Sequence, residues 1–219
     1  MVQRSLSKRL WYDFLRVVFR LIGVAFFRIR VFNRQLIPQS GGALIVSNHQ
    51  SHLDPILVGM AFNRRLNYVA RDTLFGFAPF RWLIYSLDAI PIDREGIGLG
   101  GLKESLRRLK AGEMLLIFPE GTRTRDGNVG ELKPGFLALA RRSKVPLLPV
   151  AIDGAFDSWP KWNMLPGVAV IHVGLAKPLS PAEMSQLDDE HLLAEVDRRI
   201  RQCHAVIRNG RLRSLRAGI

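Results

Sequence analysis

The feature that most limits the fold of this chain is a regular alternation of short apolar runs and amphipathic stretches from Gly41 onward. Short apolar runs suit buried strands, and apolar residues repeated every three or four positions suit helices. Strands that alternate with helices predict an α/β fold, a single layered domain with a largely parallel or mixed sheet flanked by helices. The predicted strands are 43–46, 66–70, 89–92, 114–118, 145–152 and 168–173. The predicted helices are 54–62, 99–109, 136–142 and 182–207.

The N-terminal segment has a different character. Its longest uncharged run, 21–27, is far shorter than the roughly 20 residues that a membrane-spanning helix needs, and no signal-peptide cleavage site follows it. As a helix, it would carry charges on one side at Arg9, Asp13, Arg16 and Arg20. The opposite side would hold Trp11, Leu15, Val18, Ile22 and Phe26. We interpret residues 1–33 as an amphipathic helix in a membrane interface, although a helix docked on the protein's own core would show the same pattern.

The charge of the chain indicates an anionic partner. The formal net charge is +13, with seven arginines between positions 198 and 216. Nucleic acid, an anionic membrane surface and phosphorylated substrates all suit such a charge. The arginine-rich stretch contains no aromatic residue, and the sequence has no helix-turn-helix, zinc-finger or RNA-binding signature, so we predict no nucleic acid partner.

The cysteine and histidine content limits the chemistry further. The single cysteine, Cys203, excludes an internal disulfide and suits a reducing compartment; we interpret it as a buried side chain on the last helix. The five histidines lack ligand-like spacing with cysteines or carboxylates, so we predict no metal site and no cofactor.

A candidate acid–base pair lies in the turn between the first predicted strand and the first predicted helix. His49 and Asp54 are five residues apart, a separation that neither a helix nor a strand would bring together. A strand-to-helix turn can pair them, because the chain reverses there. Asp54 could then fix the imidazole tautomer and leave the other ring nitrogen free to accept a proton from a hydroxyl group. His52, only two residues from Asp54, is the weaker candidate.

A candidate phosphate site follows the strand 114–118. Thr122 and Arg123 are good phosphate partners, and Gly121 permits close backbone approach. Arg94 follows the predicted strand 89–92 in the same way. Because ligands collect at the carboxyl ends of strands in open α/β sheets, these residues could share one site, although each alone could be an ordinary solvated turn residue.

Together these segments resemble the glycerophospholipid acyltransferase family, which includes bacterial 1-acylglycerol-3-phosphate acyltransferases. Four motifs of that family are present in its order. They are Asn-His-x4-Asp at 48–54, Ile-Pro-Ile-Asp-Arg at 90–94, Phe-Pro-Glu-Gly-Thr-Arg at 118–123, and the Val-Pro strand at 145–150. The second motif departs from the family pattern, so Arg94 is the least secure correspondence.

The resemblance implies a direct acyl transfer. His49 would be the general base and Asp54 its orienting partner, with Glu120, Gly121, Thr122 and Arg123 binding the acceptor and Arg94 supporting its phosphate. The donor would be acyl-CoA or an acyl-carrier protein, and the acceptor 1-acyl-glycerol-3-phosphate. Residues 34–219 would then form the acyltransferase domain, at the cytoplasmic face of the cell membrane. The apolar segment 74–80 would be a wall of the acyl groove or a membrane-dipping loop, or ordinary core.

Two alternatives remain open from the sequence. The acceptor could instead be glycerol 3-phosphate, lysophosphatidylcholine or a lyso-ornithine lipid, because the motifs suit a phosphate-like head group without defining the rest of it. The chain could also be a non-enzymatic basic module that binds membranes or nucleic acid, as its charge of +13 would allow.

Overall fold

The computed structural model describes residues 5–71, 90–92 and 98–217. Their helices are α1 (Leu6–Phe27), α2 (Asp54–Ala61), α3 (Leu99–Lys110), α4 (Leu137–Ser143), α5 (Ala155–Ser158), α6 (Pro181–Ser185) and α7 (Asp189–Arg216). Their strands are β1 (Arg30–Phe32), β2 (Ala43–Ser47), β3 (Leu66–Arg71), β4 (Ile90–Ile92), β5 (Met114–Ile117), β6 (Leu147–Asp153) and β7 (His172–Leu175). Short 3-10 helices lie at Arg34–Leu36 and Pro134–Phe136.

The strands form one seven-stranded sheet in the order β1-β7-β6-β2-β5-β3-β4. Every neighbouring pair is parallel except β6 with β7. The predicted α/β architecture with a largely parallel sheet is therefore confirmed. Strand β2 lies in the middle, and all five of its residues are buried. A central strand of a parallel sheet is covered on both faces, which explains why its sequence is an unbroken apolar run.

Alternate residues of the central strands build two separate cores. Ile45 and Leu116 face a cluster that includes Leu57 of α2. Leu44 and Leu115 face the other cluster, which is covered by α3, α4 and α7. Because side chains alternate across a strand, one pair of adjacent strands supplies both layers.

Helix α1 lies against α2 with its basic side toward the protein. Arg20 donates hydrogen bonds to the carbonyl oxygens of Met60 (3.1 Å) and Phe62 (2.9 Å), and Arg16 donates to that of Asn63 (2.7 Å). These carbonyls belong to the end of α2 and the residues after it, where helical partners are lacking. Two of the charges that the sequence placed on one side of the helix, Arg16 and Arg20, thus help to dock it.

The outward side of α1 is apolar, but it is not the predicted apolar side, whose Trp11, Leu15 and Val18 are partly buried. Exposed large side chains recur on it every three or four residues, at Leu6, Leu10, Phe14, Val17, Leu21 and Val24. Within residues 5–71, 90–92 and 98–217, no helix is both long and apolar enough to cross a membrane.

Two predicted elements differ from the structure by more than two residues at an end. The strand predicted at 168–173 begins only at His172. Its expected first residues lie next to a loop that Ser158 and Gly167 close with backbone and side-chain hydrogen bonds. The single helix predicted at 182–207 is two helices, α6 and α7, because the Asp188 side chain accepts a hydrogen bond from the His191 amide and caps a new helix there. Helix α7 continues through the arginine-rich stretch to Arg216.

Candidate active site

Three neighbouring strand ends form the candidate site. Strand β2 pairs in parallel with β5 on one side and with β6 on the other. The residues that follow β2 and β5 therefore meet at the carboxyl edge of the sheet, close to the end of β6. The predicted Asn-His-x4-Asp and Phe-Pro-Glu-Gly-Thr-Arg motifs are these two connections, so the fold brings them together.

His49 and Asp54 form the expected pair. Nδ1 of His49 lies 2.7 Å from Oδ2 of Asp54, which is fully buried, while the His49 side chain is 20% exposed. The same Asp54 oxygen accepts hydrogen bonds from the backbone amides of Gln50 (2.5 Å) and Ser51 (2.7 Å). Three donors on one carboxylate oxygen hold the turn closed. With the proton on Nδ1, the lone pair of Nε2 is available to accept a proton.

The two motifs are joined through the backbone of His49. Its amide donates to Oε1 of Glu120 (3.0 Å), and its carbonyl accepts from the amide of Thr124 (2.8 Å). The imidazole ring also stacks on the Phe118 ring, with centroids 4.1 Å apart and planes inclined by 17°. Backbone and ring of His49 are therefore fixed by the connection that follows β5.

Glu120 faces inward. Its carboxyl group is buried, and it accepts hydrogen bonds from the amides of His49 and Gly130. Burial raises the pKa of Glu120 to about 7, although those two donors act to lower it. A Cβ on Gly130 would lie 2.7 Å from Oε2 of Glu120, so this glycine leaves the space that the carboxyl group needs.

Arg123 lies beside the second histidine of the turn. Its guanidinium donates a hydrogen bond to Nε2 of His52, whose ring is tilted against that of Trp159 at a centroid distance of 5.1 Å. Burial, together with the nearby Arg123 charge, lowers the pKa of His52 to about 4. A neutral His52 can accept the hydrogen bond from arginine that an imidazolium could not. Burial also lowers the pKa of Arg123, whereas Asp54 raises it.

The remaining predicted site residues have mixed outcomes. Gly121 has a φ of +67°, and its amide donates to the Phe118 carbonyl (3.1 Å), so it forms a tight turn that brings the motif round toward His49. Thr122 is exposed on this turn. Arg94 and the apolar segment 74–80 lie outside the described residues. Within the described part of the chain, no group of three or more histidine, cysteine, aspartate or glutamate side chains could hold a metal ion.

A buried polar network beneath the site was missed by the sequence analysis. Oδ1 of Asp153, at the end of β6, lies 3.3 Å from Nε2 of His204, and its other oxygen accepts a hydrogen bond from Arg211. Burial alone would raise the pKa of Asp153, but His204 and Arg211 together lower it. Gln50 carries this network to the turn between β2 and α2, since its side-chain nitrogen lies 3.4 Å from Nε2 of His204 and its side-chain oxygen accepts from the Phe156 amide (3.3 Å).

One sequence signal pointed to this network. Asp153 is a charged residue at the end of an apolar strand. Its partners on α7 are more than 50 residues away, and no local pattern connects them.

The assembled site can perform proton abstraction beside an anion-binding group. His49 has one nitrogen held by Asp54 and the other unoccupied by any described residue, and its side chain reaches the surface. Arg123 is held by the same turn through His52. This is the arrangement of a general base placed next to a positive charge, and it suits attack by a hydroxyl group of a phosphate-bearing molecule.

Comparison with known proteins agrees with this site. The family described as Acyltransferase matches residues 28–153, which is more than half of the chain. The match includes the turn that carries His49 and Asp54, the connection after β5 and the whole of β6. The chain therefore belongs to the acyltransferase family, and it is an acyltransferase enzyme.

Two individual relatives and one solved structure resemble the chain over most of its length. The chain is 30% identical to the 1-acyl-sn-glycerol-3-phosphate acyltransferase of Bacillus subtilis over 189 residues, which cover 86% of this chain and 90% of the relative. It is 32% identical to the protein of the same name from Pseudomonas aeruginosa, over 80% of this chain and 67% of that one. The crystal structure of the 1-acyl-sn-glycerophosphate (LPA) acyltransferase from Thermotoga maritima matches the fold with a TM-score of 0.76 at 23% identity, over 92% of this chain and 81% of that one.

Proposed function

We propose that this enzyme transfers a fatty acyl group from acyl-CoA or an acyl-carrier protein to the free hydroxyl of 1-acyl-glycerol-3-phosphate, giving phosphatidic acid for phospholipid synthesis. The observation that carries the proposal is the His49–Asp54 pair, 2.7 Å apart, with the guanidinium of Arg123 hydrogen-bonded to His52 of the same turn. The names of the relatives in Bacillus subtilis and Pseudomonas aeruginosa support this acceptor. A purely binding role for the basic chain is not retained, because the chain is an acyltransferase.

The reaction follows from the placement of His49. Nε2 removes the proton of the acceptor hydroxyl as its oxygen attacks the thioester carbonyl, and the buried Asp54 carboxylate stabilises the imidazolium that forms. When the tetrahedral intermediate collapses, the new ester C–O bond stays, the C–S bond breaks, and the departing thiolate takes the proton from His49. No acyl group becomes covalently attached to the enzyme at any step.

The acceptor would be recognised mainly through its phosphate. Arg123 offers a planar fork that can donate two hydrogen bonds to one phosphate group, and Thr122 adds an exposed hydroxyl on the same turn. His52 leaves part of the Arg123 fork free, since it accepts from one terminal nitrogen. Glu120, by contrast, would act through the backbone of His49 rather than on the lipid, because its carboxyl group faces inward. We assign Arg94 to the phosphate on the resemblance alone.

The proposed place of work is the cytoplasmic face of the cell membrane, where the enzyme would be peripheral or monotopic. The outward side of α1 supports this, because it presents a row of exposed apolar side chains beside a strongly basic protein. A helix of this kind lies in the plane of the interface and favours anionic lipid. Residues 1–33 would thus serve as the interfacial segment of the acyltransferase domain at 34–219.

The test is acyl transfer from labelled acyl-CoA and from labelled acyl-carrier protein to lysophosphatidate. We expect His49→Ala to lower kcat by about 10²- to 10⁴-fold, the usual contribution of a general base. His191→Ala is the matched control, because His191 is an exposed histidine on α7 paired with Asp188. Retained transfer by His49→Ala would contradict the mechanism. Transfer only to glycerol 3-phosphate, lysophosphatidylcholine or a lyso-ornithine lipid would show that the proposed acceptor is wrong, while the proposed acyl-transfer mechanism would stand.

A further inference from the structure

An apolar loop projects next to the candidate active site. It connects α5 to the residues before β7 and consists of residues 159–168, in which Lys161 is the sole charged residue. Four large apolar side chains stand in solvent, with exposed fractions of 61% at Trp162, 92% at Met164, 79% at Leu165 and 77% at Val168. A surface loop ordinarily carries polar residues, so this composition needs a cause.

The loop is a formed structure. At its neck, Oγ of Ser158 donates to the carbonyl of Gly167 (2.7 Å), and the Gly167 amide donates to the carbonyl of Ser158 (2.8 Å). Inside it, Nε1 of Trp159 donates to the Asn163 carbonyl (2.8 Å). The apolar tip is therefore held outward by hydrogen bonds of the loop itself.

The neck of the loop is attached to the catalytic turn. Oγ of Ser51 donates to the carbonyl of Trp159 (2.8 Å), and the Trp159 ring lies against His52, which holds Arg123. The loop is thus connected through the side chains of Trp159 and His52 to Arg123 in the proposed phosphate site.

The far end of the loop leads to α1. The amide of Ile171, three residues after the loop, donates to the carbonyl of Phe27 at the end of α1 (3.0 Å). The exposed Phe26 and Val168 therefore belong to neighbouring segments, and Arg28 adds an exposed positive charge there.

We propose that the apolar loop 159–168 inserts into the outer layer of an anionic lipid bilayer and sets the active site against the membrane surface. Tryptophan beside leucine and methionine is the composition that enters the interfacial region, and Lys161, Arg28 and the net charge of +13 complement anionic head groups. The loop is a second membrane contact besides α1, and it is the one next to His52 and Arg123. A lysolipid could then present its phosphate to Arg123 while its acyl chain remains among other lipids.

The last step of this inference rests on the proposed function, because it assumes a lipid acceptor. Insertion of the loop does not, and it can be measured without any acyl transfer.

The first experiment places an environment-sensitive fluorophore on the loop. Met164→Cys is labelled in a Cys203→Ala background, and Lys110→Cys is labelled as the control, since Lys110 is exposed at the end of α3, on the opposite edge of the sheet. With vesicles of phosphatidylglycerol and phosphatidylcholine, we expect a blue shift and protection from iodide quenching at position 164 but not at 110. A vesicle-bound protein whose label at 164 stays in water, or a protein that binds no vesicles, overturns the proposal. Shielding by an acyl-carrier protein without vesicles overturns it too and assigns the loop to that partner.

The second experiment separates membrane contact from active-site chemistry. Leu165→Asp should weaken vesicle binding by about tenfold, as expected for one buried leucine lost. It should lower kcat/KM for vesicle-borne lysophosphatidate but leave transfer to a monomeric short-chain lysophosphatidate unchanged. Lys110→Gln, which changes the net charge by the same single unit, is the control, and thermal melting checks the fold of both variants. An equal loss on both acceptors overturns the membrane role. If the wild type transfers to neither acceptor while the label at position 164 is still shielded by vesicles, the proposed function is rejected and the membrane insertion of the loop is supported.

Discussion

Oε1 of Glu120 accepts a hydrogen bond from the backbone amide of His49 across 3.0 Å. This contact joins two motifs that are 71 residues apart in the sequence. The proposed general base, His49, is thus positioned from two directions, by Asp54 on its ring and by Glu120 on its backbone. The positioning group is itself titratable, which makes its contribution measurable.

Replacing Glu120 should change how stability depends on pH. Its pKa rises from an ordinary value near 4.5 to about 7 in the folded protein. Between these values the folded state holds a proton that the unfolded state has lost, so the carboxyl group lowers the free energy of unfolding as pH rises through this window. Glu120→Gln lacks this loss, so the difference in free energy between variant and wild type should shift in favour of the variant from pH 4.5 to 7. Denaturant unfolding at several pH values measures it.

The exposed Glu131 supplies the control for that experiment. Glu131→Gln should run parallel to wild type over the same pH range. Parallel curves for Glu120→Gln as well would show that the carboxyl group of Glu120 titrates in the folded protein as it does in the unfolded chain.

His52 should affect acceptor binding more than the chemical step. It accepts the hydrogen bond that holds Arg123, so His52→Ala leaves the guanidinium without that support. We expect KM for lysophosphatidate to rise about tenfold, the effect of one lost hydrogen bond to a charged group, with little change in kcat. His52→Asn retains an acceptor and should recover part of the affinity. A fall in kcat at unchanged KM would instead place His52 in the chemical step.

His52 should also change how stability depends on pH, in the direction opposite to that of Glu120. Its pKa falls from 6.5 to about 4 on folding, so the unfolded state holds the extra proton between these values. Stability from His52 is complete above pH 6.5 and is lost as pH falls toward 4. His52→Asn should remove this slope. Because the window overlaps that of Glu120, the two slopes partly cancel in the wild type, and each is visible only as a difference between variant and wild type.

The outward row of α1 should control membrane binding without controlling the fold. Phe14→Asp and Leu21→Asp introduce charge at exposed positions, so vesicle sedimentation should fall while the melting temperature stays within a few degrees of wild type. Deleting residues 1–30 is a poorer test, because it removes the buried Tyr12 and Phe27 and part of β1. Unchanged sedimentation of the double variant would show that α1 is an ordinary surface helix.

Arg211 should be a major contributor to stability. It is buried and contacts Asp153 and, at 2.6 Å, Asp157. Arg211→Ala leaves the buried Asp153 without its strongest charge partner, so we expect a loss of about 3–5 kcal/mol in the free energy of unfolding. The exposed Arg213 is the control, and Arg213→Ala should change stability by less than about 0.5 kcal/mol. Equal effects of the two substitutions in urea unfolding would show that the buried pair adds no stability.

Much of the architecture was readable from local pattern. The strands at 43–46 and 114–118 and the helix at 99–109 agree with β2, β5 and α3 to within one residue at each end. Each is a strongly periodic or continuous apolar segment, so its conformation follows from its own residues. The helix predicted at 182–207 failed because Asp188 and Ser180 start two separate helices, and an apolar pattern does not reveal such caps.

The sequence by itself determined the α/β class, the two connections that form the candidate site, and the pairing of His49 with Asp54, since these depend on short-range order along the chain. Only the tertiary structure decided that Glu120 supports the His49 backbone, that His52 holds Arg123, and that α7 sends Arg211 beneath the site. The physical reason is the sheet order: β2 lies between β5 and β6, so residues 71 to 154 positions apart become neighbours. The orientation of α1 belongs to the same group. Its hydrogen bonds to the end of α2 turn the basic side inward and leave the apolar row outside.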